Sequence, residues 1–241
     1  MEEPQHAPRN TIHARVAVIV PAAGLGSRMG GRSKQFLMLG NAPLLVQTLR
    51  AFAGVEEVET VVVAVPEKEV NVVEELLAQF GLIAQVVVGG ATRQASVGEG
   101  LGAVGQTTEV VLVHDAVRPF ISVTQIREII KAIHEHGAAA VAVPVVDTLR
   151  RGADIVFGKT VDREGLFRML TPQGARTDLL VQANAKAKAE GFVGTDEVEV
   201  LQHAGVHIHL VLGDERNIKL TRPSDWTLAE ALWPEWQRKE D

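Results

Sequence analysis

The strongest constraint on this chain is an alternation. Short apolar runs recur at 16–20, 60–65, 83–88, 110–114 and 138–143. Stretches with the apolar spacing of helices fall between them, at 43–52, 67–80, 94–104 and 124–136. Runs this short and this uniformly apolar read as strands buried on both faces. Strands that alternate with helices pair in parallel through right-handed crossovers, which predicts a doubly wound sheet with helices on each side. Ligands of such sheets bind in the crevice beyond the carboxyl ends of the strands. Three polar segments fall at strand ends here, 22–34, 89–96 and 115–119, and repeat the same residue types: Gly, Arg, Ser and Asp. All three are expected to face one crevice.

The alternation then breaks. Residues 147–163 read as two extended segments, 148–151 and 155–161, joined by Gly152-Ala153-Asp154. This predicts a β-hairpin arm that either covers the active site or contacts a second subunit. Residues 170–172 return to the sheet. Helices are predicted over 175–190, starting near Gly174, over 196–203 with Thr195 or Gly194 as cap, and over 223–232 with Pro223 in its first turn. Short strands are predicted over 206–212 and 217–220. The fold class is therefore α/β, Rossmann-like and doubly wound, with a mostly parallel sheet and a protruding arm. The division expected is one domain over 1–241 with a loose tail at 1–14.

Bulk properties remove several function classes. The 241 residues suffice for a substantial core. The formal net charge of -6 disfavours nucleic-acid binding, which draws on basic surface. An anion site on this protein must therefore be a local cluster of Arg and Lys. With no cysteine there is no disulfide, thiolate metal site or Cys nucleophile. No apolar run reaches the length of a membrane helix, and residues 1–11 lack the apolar core of a signal peptide. The expected setting is cytoplasmic, with no membrane partner.

The first strand empties into Ala22-Ala-Gly-Leu-Gly-Ser-Arg-Met-Gly30, followed by Gly31-Arg-Ser-Lys-Gln35. Ala22, Ala23, Gly24 and Gly26 leave the backbone N–H groups open to close approach, the form of an anion nest. Arg28 and Lys34 beyond it suit a polyphosphate, one as a planar fork and the other as a point charge. The dinucleotide fingerprint is not met, because Met29 stands where its third glycine belongs and the second strand ends Ala64-Val65-Pro66 without an acid. The Walker pattern is a near miss, with Arg32 at its lysine.

What remains, A-A-G-x-G-S-R-M-(x)4-K-Q, resembles the signature of nucleotidyltransferases that join a nucleoside triphosphate to a sugar or polyol phosphate. Further motifs follow in order: Gly89-Gly-Ala-Thr-Arg-Gln-Ala-Ser96, His114-Asp-Ala-Val-Arg-Pro119, Asp147-Thr148, Asp162-Arg-Glu-Gly-Leu166, Leu170-Thr-Pro-Gln173, Thr195-Asp-Glu197 and Asn217-Ile-Lys-Leu-Thr-Arg-Pro223. Together they closely resemble the 2-C-methyl-D-erythritol 4-phosphate cytidylyltransferases of the non-mevalonate isoprenoid pathway, from about residue 16 to about residue 232. Ribitol-5-phosphate cytidylyltransferases share the first loop, the His-Asp-Ala-x-Arg-Pro stretch and Thr-Pro-Gln. A non-catalytic nucleotide-binding module of the same fold is the reading from a different class. Against it, Arg28, Lys34, Asp115, Arg163 and Lys219 are all present together.

The resemblance implies in-line attack of a phosphate-monoester oxygen on the α-phosphorus of CTP, with pyrophosphate leaving. The nucleophile is already an anion, so charge neutralisation and alignment are needed rather than a base, and cations suit that work. Arg28 and Lys34 are the first catalytic candidates. Arg163 and Lys219 resemble the family's second cationic pair, which binds the polyol phosphate. Asp115, at the end of the fourth strand, is the candidate ligand for Mg²⁺ carried on the triphosphate. Ala22, Ala23, Gly24, Gly26, Gly90, Arg93 and Ser96 are candidate nucleotide contacts, and Arg118, Thr148 and Thr171 candidate substrate contacts. The resemblance also implies a homodimer joined through the 147–163 arm, with Arg163 acting in the neighbour's site.

Overall fold

A computed structural model describes residues 14–24 and 34–240, excepting the side chains of 239 and 240. Gly26 and Arg28 lie outside the described residues. So does the tail expected at 1–14 apart from its last residue, Ala14, which is buried in the core.

The elements run β1 (Val16–Pro21), β2 (Met38–Leu39), β3 (Ala42–Pro43), α1 (Leu44–Ala53), β4 (Val58–Val65), α2 (Val70–Gln79), β5 (Gln85–Val88), α3 (Arg93–Ala103) and β6 (Val110–Val113). There follow α4 (Val123–His136), β7 (Ala138–Pro144), β8 (Leu149–Ala153), β9 (Val156–Val161), β10 (Phe167–Arg176), α5 (Thr177–Ala189), α6 (Glu197–His203), β11 (His209–Leu212) and α7 (Pro223–Glu240). Seven strands form one sheet in the order β11-β7-β10-β6-β1-β4-β5. Strand β1 lies between β4 and β6 and pairs with both in parallel. Its residues alternate between two cores. Val16, Val18 and Val20 pack with α1 and α4, while Ile19 packs with α3, α5 and α6.

Strand β10 is the exception to parallel pairing. It runs antiparallel to both β6 and β7. The reason is its connection. The chain leaves β7, makes the β8–β9 hairpin and returns from the same end without a crossover helix, so it must enter the sheet reversed. The helix expected from Gly174 accordingly starts later, at Thr177, and Gly174 belongs to the strand. A Cβ there would collide with the Val111 carbonyl oxygen, so this glycine serves close strand packing rather than a helix start.

Other boundaries also differ from the sequence reading. Asp196, not Thr195 or Gly194, caps α6, its carboxylate accepting from the Glu199 N–H at 3.0 Å. Residues 217–220 form no strand; they are held by single bonds such as Leu220 N–H to the Val117 carbonyl. The last helix continues past 232 to Glu240 with Pro234 inside it. Of the three glycines in α3, Gly100 lies against Ile19, where a Cβ would meet the isoleucine at 2.6 Å, so this glycine lets the helix pack on β1. The hairpin arm turns at Asp154, with φ of 54°, so Gly152 and Ala153 lie in β8 rather than in the turn. Its apolar residues Ile155, Val156 and Phe157 are exposed.

Candidate active site

The carboxyl ends of β1 and β6 open onto a cleft of about 780 Å³. Pro21, Ala22, Ala23 and Gly24 come from the end of β1, and Gly90 to Arg93 and Ser96 from the β5–α3 turn and the start of α3. Asp115 to Val117 come from the end of β6, and Lys219 to Thr221 from the approach to α7. Lys34 and Gln35 complete the wall. Each of the three segments expected to share one crevice contributes residues to its lining.

Local structure explains why the backbone is open here. Thr92 caps α3, its hydroxyl accepting from the Ala95 N–H at 3.0 Å. Ser96, one turn in, donates back to the Thr92 carbonyl at 2.9 Å. Gly89 and Gly90 precede the cap because side chains there would collide with Ala23 and Ala95. Gln35 donates to the Ala22 carbonyl and to Glu69, tying the end of β1 to the segment after β4.

The charges converge on Asp115. Lys219 reaches its Oδ2 at 3.0 Å and Arg118 the same oxygen at 3.1 Å, while Arg93 Nε stands 3.4 Å from Oδ1. Burial pushes the Asp115 carboxyl up, but Lys219, Arg93 and Arg118 outweigh it and hold the group well below the usual carboxylate range. Arg93 also reaches Glu197 at 2.8 Å. Burial opposes the Arg93 charge, and Glu197 and Asp115 together raise its pKa above the ordinary arginine value. Burial pushes the Glu197 carboxyl up against the pull of Arg93, so its charge depends on that partner. Lys34 Nζ donates to the Thr221 carbonyl at 2.6 Å. That carbonyl is fixed because the Asp225 carboxylate accepts from the Thr221 and Arg222 N–H groups at 2.7 Å each.

Behind Asp115 lies a neutral histidine. Burial pushes His114 down to about 4. Its Nε2 meets the Arg118 carbonyl oxygen at 2.9 Å, and a carbonyl only accepts, so Nε2 carries the hydrogen. The Nδ1 atom then accepts from the Thr171 hydroxyl at 3.0 Å, and the same hydroxyl oxygen accepts the Asp115 N–H at 3.1 Å. Arg118 is spent inside the protein: besides Asp115 it donates to the Asn217 carbonyl at 2.7 Å.

Of the residues singled out in the sequence, Ala22, Ala23, Gly24, Lys34, Gly90, Arg93, Ser96, Asp115 and Lys219 share the cleft. Arg118 and Thr171 are buried immediately behind it. Thr148 and Arg163 stand apart, exposed at the foot of the arm, where Arg163 donates to the Val146 carbonyl. Two contributors were not foreseen, Glu197 and the Thr221 carbonyl. Glu197 was present in the Thr195-Asp-Glu motif without a role; a backbone carbonyl leaves no trace in side-chain identity. A cleft walled by ionised Asp115 and by Lys34, Arg93 and Lys219 is built to hold a polyanion. Among the described residues no group of three or more His, Cys, Asp or Glu forms a metal cage. One ionised carboxylate beside a polyanion site fits a divalent cation that arrives on phosphate oxygens and keeps its waters.

Known proteins agree with this geometry. The family model for 2-C-methyl-D-erythritol 4-phosphate cytidylyltransferase matches residues 16–235. The chain is 48% identical over 224 residues to the 2-C-methyl-D-erythritol 4-phosphate cytidylyltransferase of Salinibacter ruber, covering 92% of this chain and 94% of the relative. It superposes on the crystal structure of the Thermus thermophilus 2-C-methyl-D-erythritol 4-phosphate cytidylyltransferase with a TM-score of 0.77 at 37% identity, covering 90% of this chain and 98% of the other. The 4-diphosphocytidyl-2C-methyl-D-erythritol synthase of Anaerococcus prevotii gives a TM-score of 0.80 at 26% identity, over 92% and 99% of the two chains.

Proposed function

This chain belongs to the 2-C-methyl-D-erythritol 4-phosphate cytidylyltransferase family, and from that membership we infer how its cleft condenses CTP with 2-C-methyl-D-erythritol 4-phosphate. The products are 4-diphosphocytidyl-2-C-methyl-D-erythritol and pyrophosphate, an intermediate and by-product of isoprenoid biosynthesis. An oxygen of the substrate phosphate forms a bond to the α-phosphorus of CTP. The bond from that phosphorus to the bridging oxygen of the β-phosphate breaks, and the electron pair leaves with pyrophosphate. No proton need be removed from the nucleophile, so the protein's work is alignment and charge stabilisation.

The observation that carries the reading is the meeting of Lys34, Arg93 and Lys219 at one cleft around an ionised Asp115. In this reading the small residues Ala22 to Gly24 and Gly90 admit the nucleotide to the backbone. Arg93 and Ser96, at the start of α3, hold it. Lys34, with Arg28, stabilises the charge that develops as pyrophosphate departs. Lys219 offsets the repulsion between the two phosphates. Asp115 would hold a magnesium ion, which when bound neutralises part of the triphosphate charge. The Thr171 hydroxyl and His114 keep the Asp115 backbone in place, and Arg118 does the same for its carboxylate. Thr148 and Arg163 are assigned to the substrate phosphate of a second subunit reached through the 147–163 arm, which makes the working unit a homodimer. A CTP-consuming enzyme of this kind belongs in the cytoplasm, where nucleoside triphosphates are made.

Pyrophosphate release tests the assignment. Release from CTP with 2-C-methyl-D-erythritol 4-phosphate, and little with ribitol 5-phosphate, is expected. The reverse preference overturns the substrate; CTP binding with no release from either overturns the catalytic reading.

A further inference from the structure

The Thr195-Asp196-Glu197 stretch has no part in the mechanism above, yet it delivers a buried acid to Arg93, which lines the cleft. Glu197 is 2% exposed, and its Oε1 accepts from Arg93 Nη1 at 2.8 Å. The contact from Arg93 to Asp115 is longer, at 3.4 Å. We propose that Glu197 is the positioning residue for Arg93: it fixes the guanidinium at the wall of the nucleotide cleft and keeps it from closing onto Asp115. This rests on the reading of that cleft as the CTP site.

Glu197 is itself held rigidly. Its N–H donates to Gln173 Oε1 at 3.0 Å, and Gln173 Nε2 donates to the Leu170 carbonyl and to Asp196 at 3.0 Å each. Strand β10 therefore anchors Glu197 through Gln173 and Asp115 through the Thr171 hydroxyl. The two carboxylates that Arg93 bridges sit on one frame. The other oxygen of Glu197, Oε2, is buried without a hydrogen-bond partner among the described residues. A desolvated carboxylate satisfied on one side only is expensive for stability, and an apolar residue of similar volume is usually tolerated as well or better. An acid here is thus explained by what it does to Arg93. In the ion-paired cluster at Asp115 three cations, Arg93, Arg118 and Lys219, face two carboxylates, Asp115 and Glu197. With Glu197 neutral, Asp115 becomes the one remaining anionic partner of Arg93 in this cluster. The guanidinium then turns toward it, competes with Lys219, and leaves its place beside the nucleotide.

Steady-state kinetics on the full chain test this. Glu197→Gln keeps the shape and loses the charge. It is expected to raise KM for CTP about tenfold, with kcat and the KM for the polyol phosphate changed less than about twofold. Glu197→Asp, which keeps the charge, is expected to recover most of the loss, with a KM for CTP within about threefold of the parent. Combining Glu197→Gln with Arg93→Gln is expected to be no worse than Arg93→Gln alone, because one acts through the other. An unchanged KM for CTP in Glu197→Gln, or penalties that multiply in the double variant, overturns the proposal. Should Glu197→Gln fail to fold, the aspartate variant decides: a KM for CTP raised as much as by Arg93→Gln shows that charge alone does not position the guanidinium. An Arg93→Gln variant with parental KM for CTP instead overturns the reading of the cleft, a separate outcome.

Discussion

At the scale of single residues the site is a problem in charge placement. Asp115 stays ionised although buried, because Lys219, Arg93 and Arg118 surround it. Lys34 lines the same cleft with its ammonium on the Thr221 carbonyl. If Lys34 stabilises charge that grows only as pyrophosphate leaves, Lys34→Ala lowers kcat by about 10²–10³-fold while CTP affinity by calorimetry changes much less. Equal losses in the two would make it a ground-state contact. His114 carries the pH prediction. Its folded pKa of about 4 lies below the ordinary 6.5, so between these values the unfolded chain binds more protons than the folded one. Stability is then complete above about 6.5 and falls as pH drops toward 4, by about 3 kcal/mol in all from this residue. Asp115 adds its own loss only at more acid pH, below the ordinary carboxylate range. Urea midpoints at pH 7 and pH 5 should differ clearly in the parent and much less in His114→Gln; an equal acid loss in both assigns it elsewhere. The His114-Asp115 pairing was visible as a motif. The direction of its hydrogen bonds was not, since Thr171 and the Arg118 carbonyl reach it only after folding.

At the scale of elements, the cleft depends on α7 as much as on the strands. Phe120, Leu39, Leu44 and Leu220 pack with Trp233 and Trp236 of α7 in a separate cluster. Leu220 lies between Lys219 and Thr221, so this cluster seats both cleft residues. Gly40, in the β2–β3 turn, has φ of 62°, and a Cβ there would collide with Nε1 of the Trp233 indole. Gly40→Ala combines left-handed strain with a clash and should cost about 3 kcal/mol, a fall in Tm of roughly 6–12 °C. Gly81→Ala makes the control, since Gly81 has φ of 66° but nothing within 4 Å of the added carbon. It should cost only about 1 kcal/mol. Similar losses in the two would show that the tryptophan moves aside. Strand and helix positions were largely legible because apolar periodicity reports them directly. The direction of β10 was not, because periodicity is the same for either direction. It follows from the route of the chain through the arm.

At the scale of the whole molecule, the arm is the feature that one chain leaves unsatisfied. Phe157 is 82% exposed, with Ile155 and Val156 beside it, on a two-stranded hairpin that pairs with no other strand among the described residues. Two isolated strands are marginal in water, and exposed apolar clusters of this kind mark interaction surfaces. If the arm joins two copies, Phe157→Asp shifts the sedimenting species toward monomer at micromolar concentration. Activity falls on dilution because Arg163 no longer reaches a neighbouring cleft, and the Tm of the isolated subunit is little changed. A fully active monomer at nanomolar enzyme rejects both the interface and the assignment of Arg163.

The sequence by itself marked out the layered α/β fold, the end of the sheet where the cleft opens, and Lys34, Arg93, Lys219 and Asp115, which line it; Arg163, which it also singled out, stands apart, and Arg28 lies outside the described residues. The fold and the place of the cleft depend on local spacing and on the sheet geometry that spacing imposes. Tertiary structure alone decided the reversed entry of β10, the seating of Lys219 by α7, and the pairing of Arg93 with Glu197, 104 residues away. Each is a contact between segments far apart in the chain. Such contacts are selected by packing and desolvation in the finished fold, and no local pattern of residues records them.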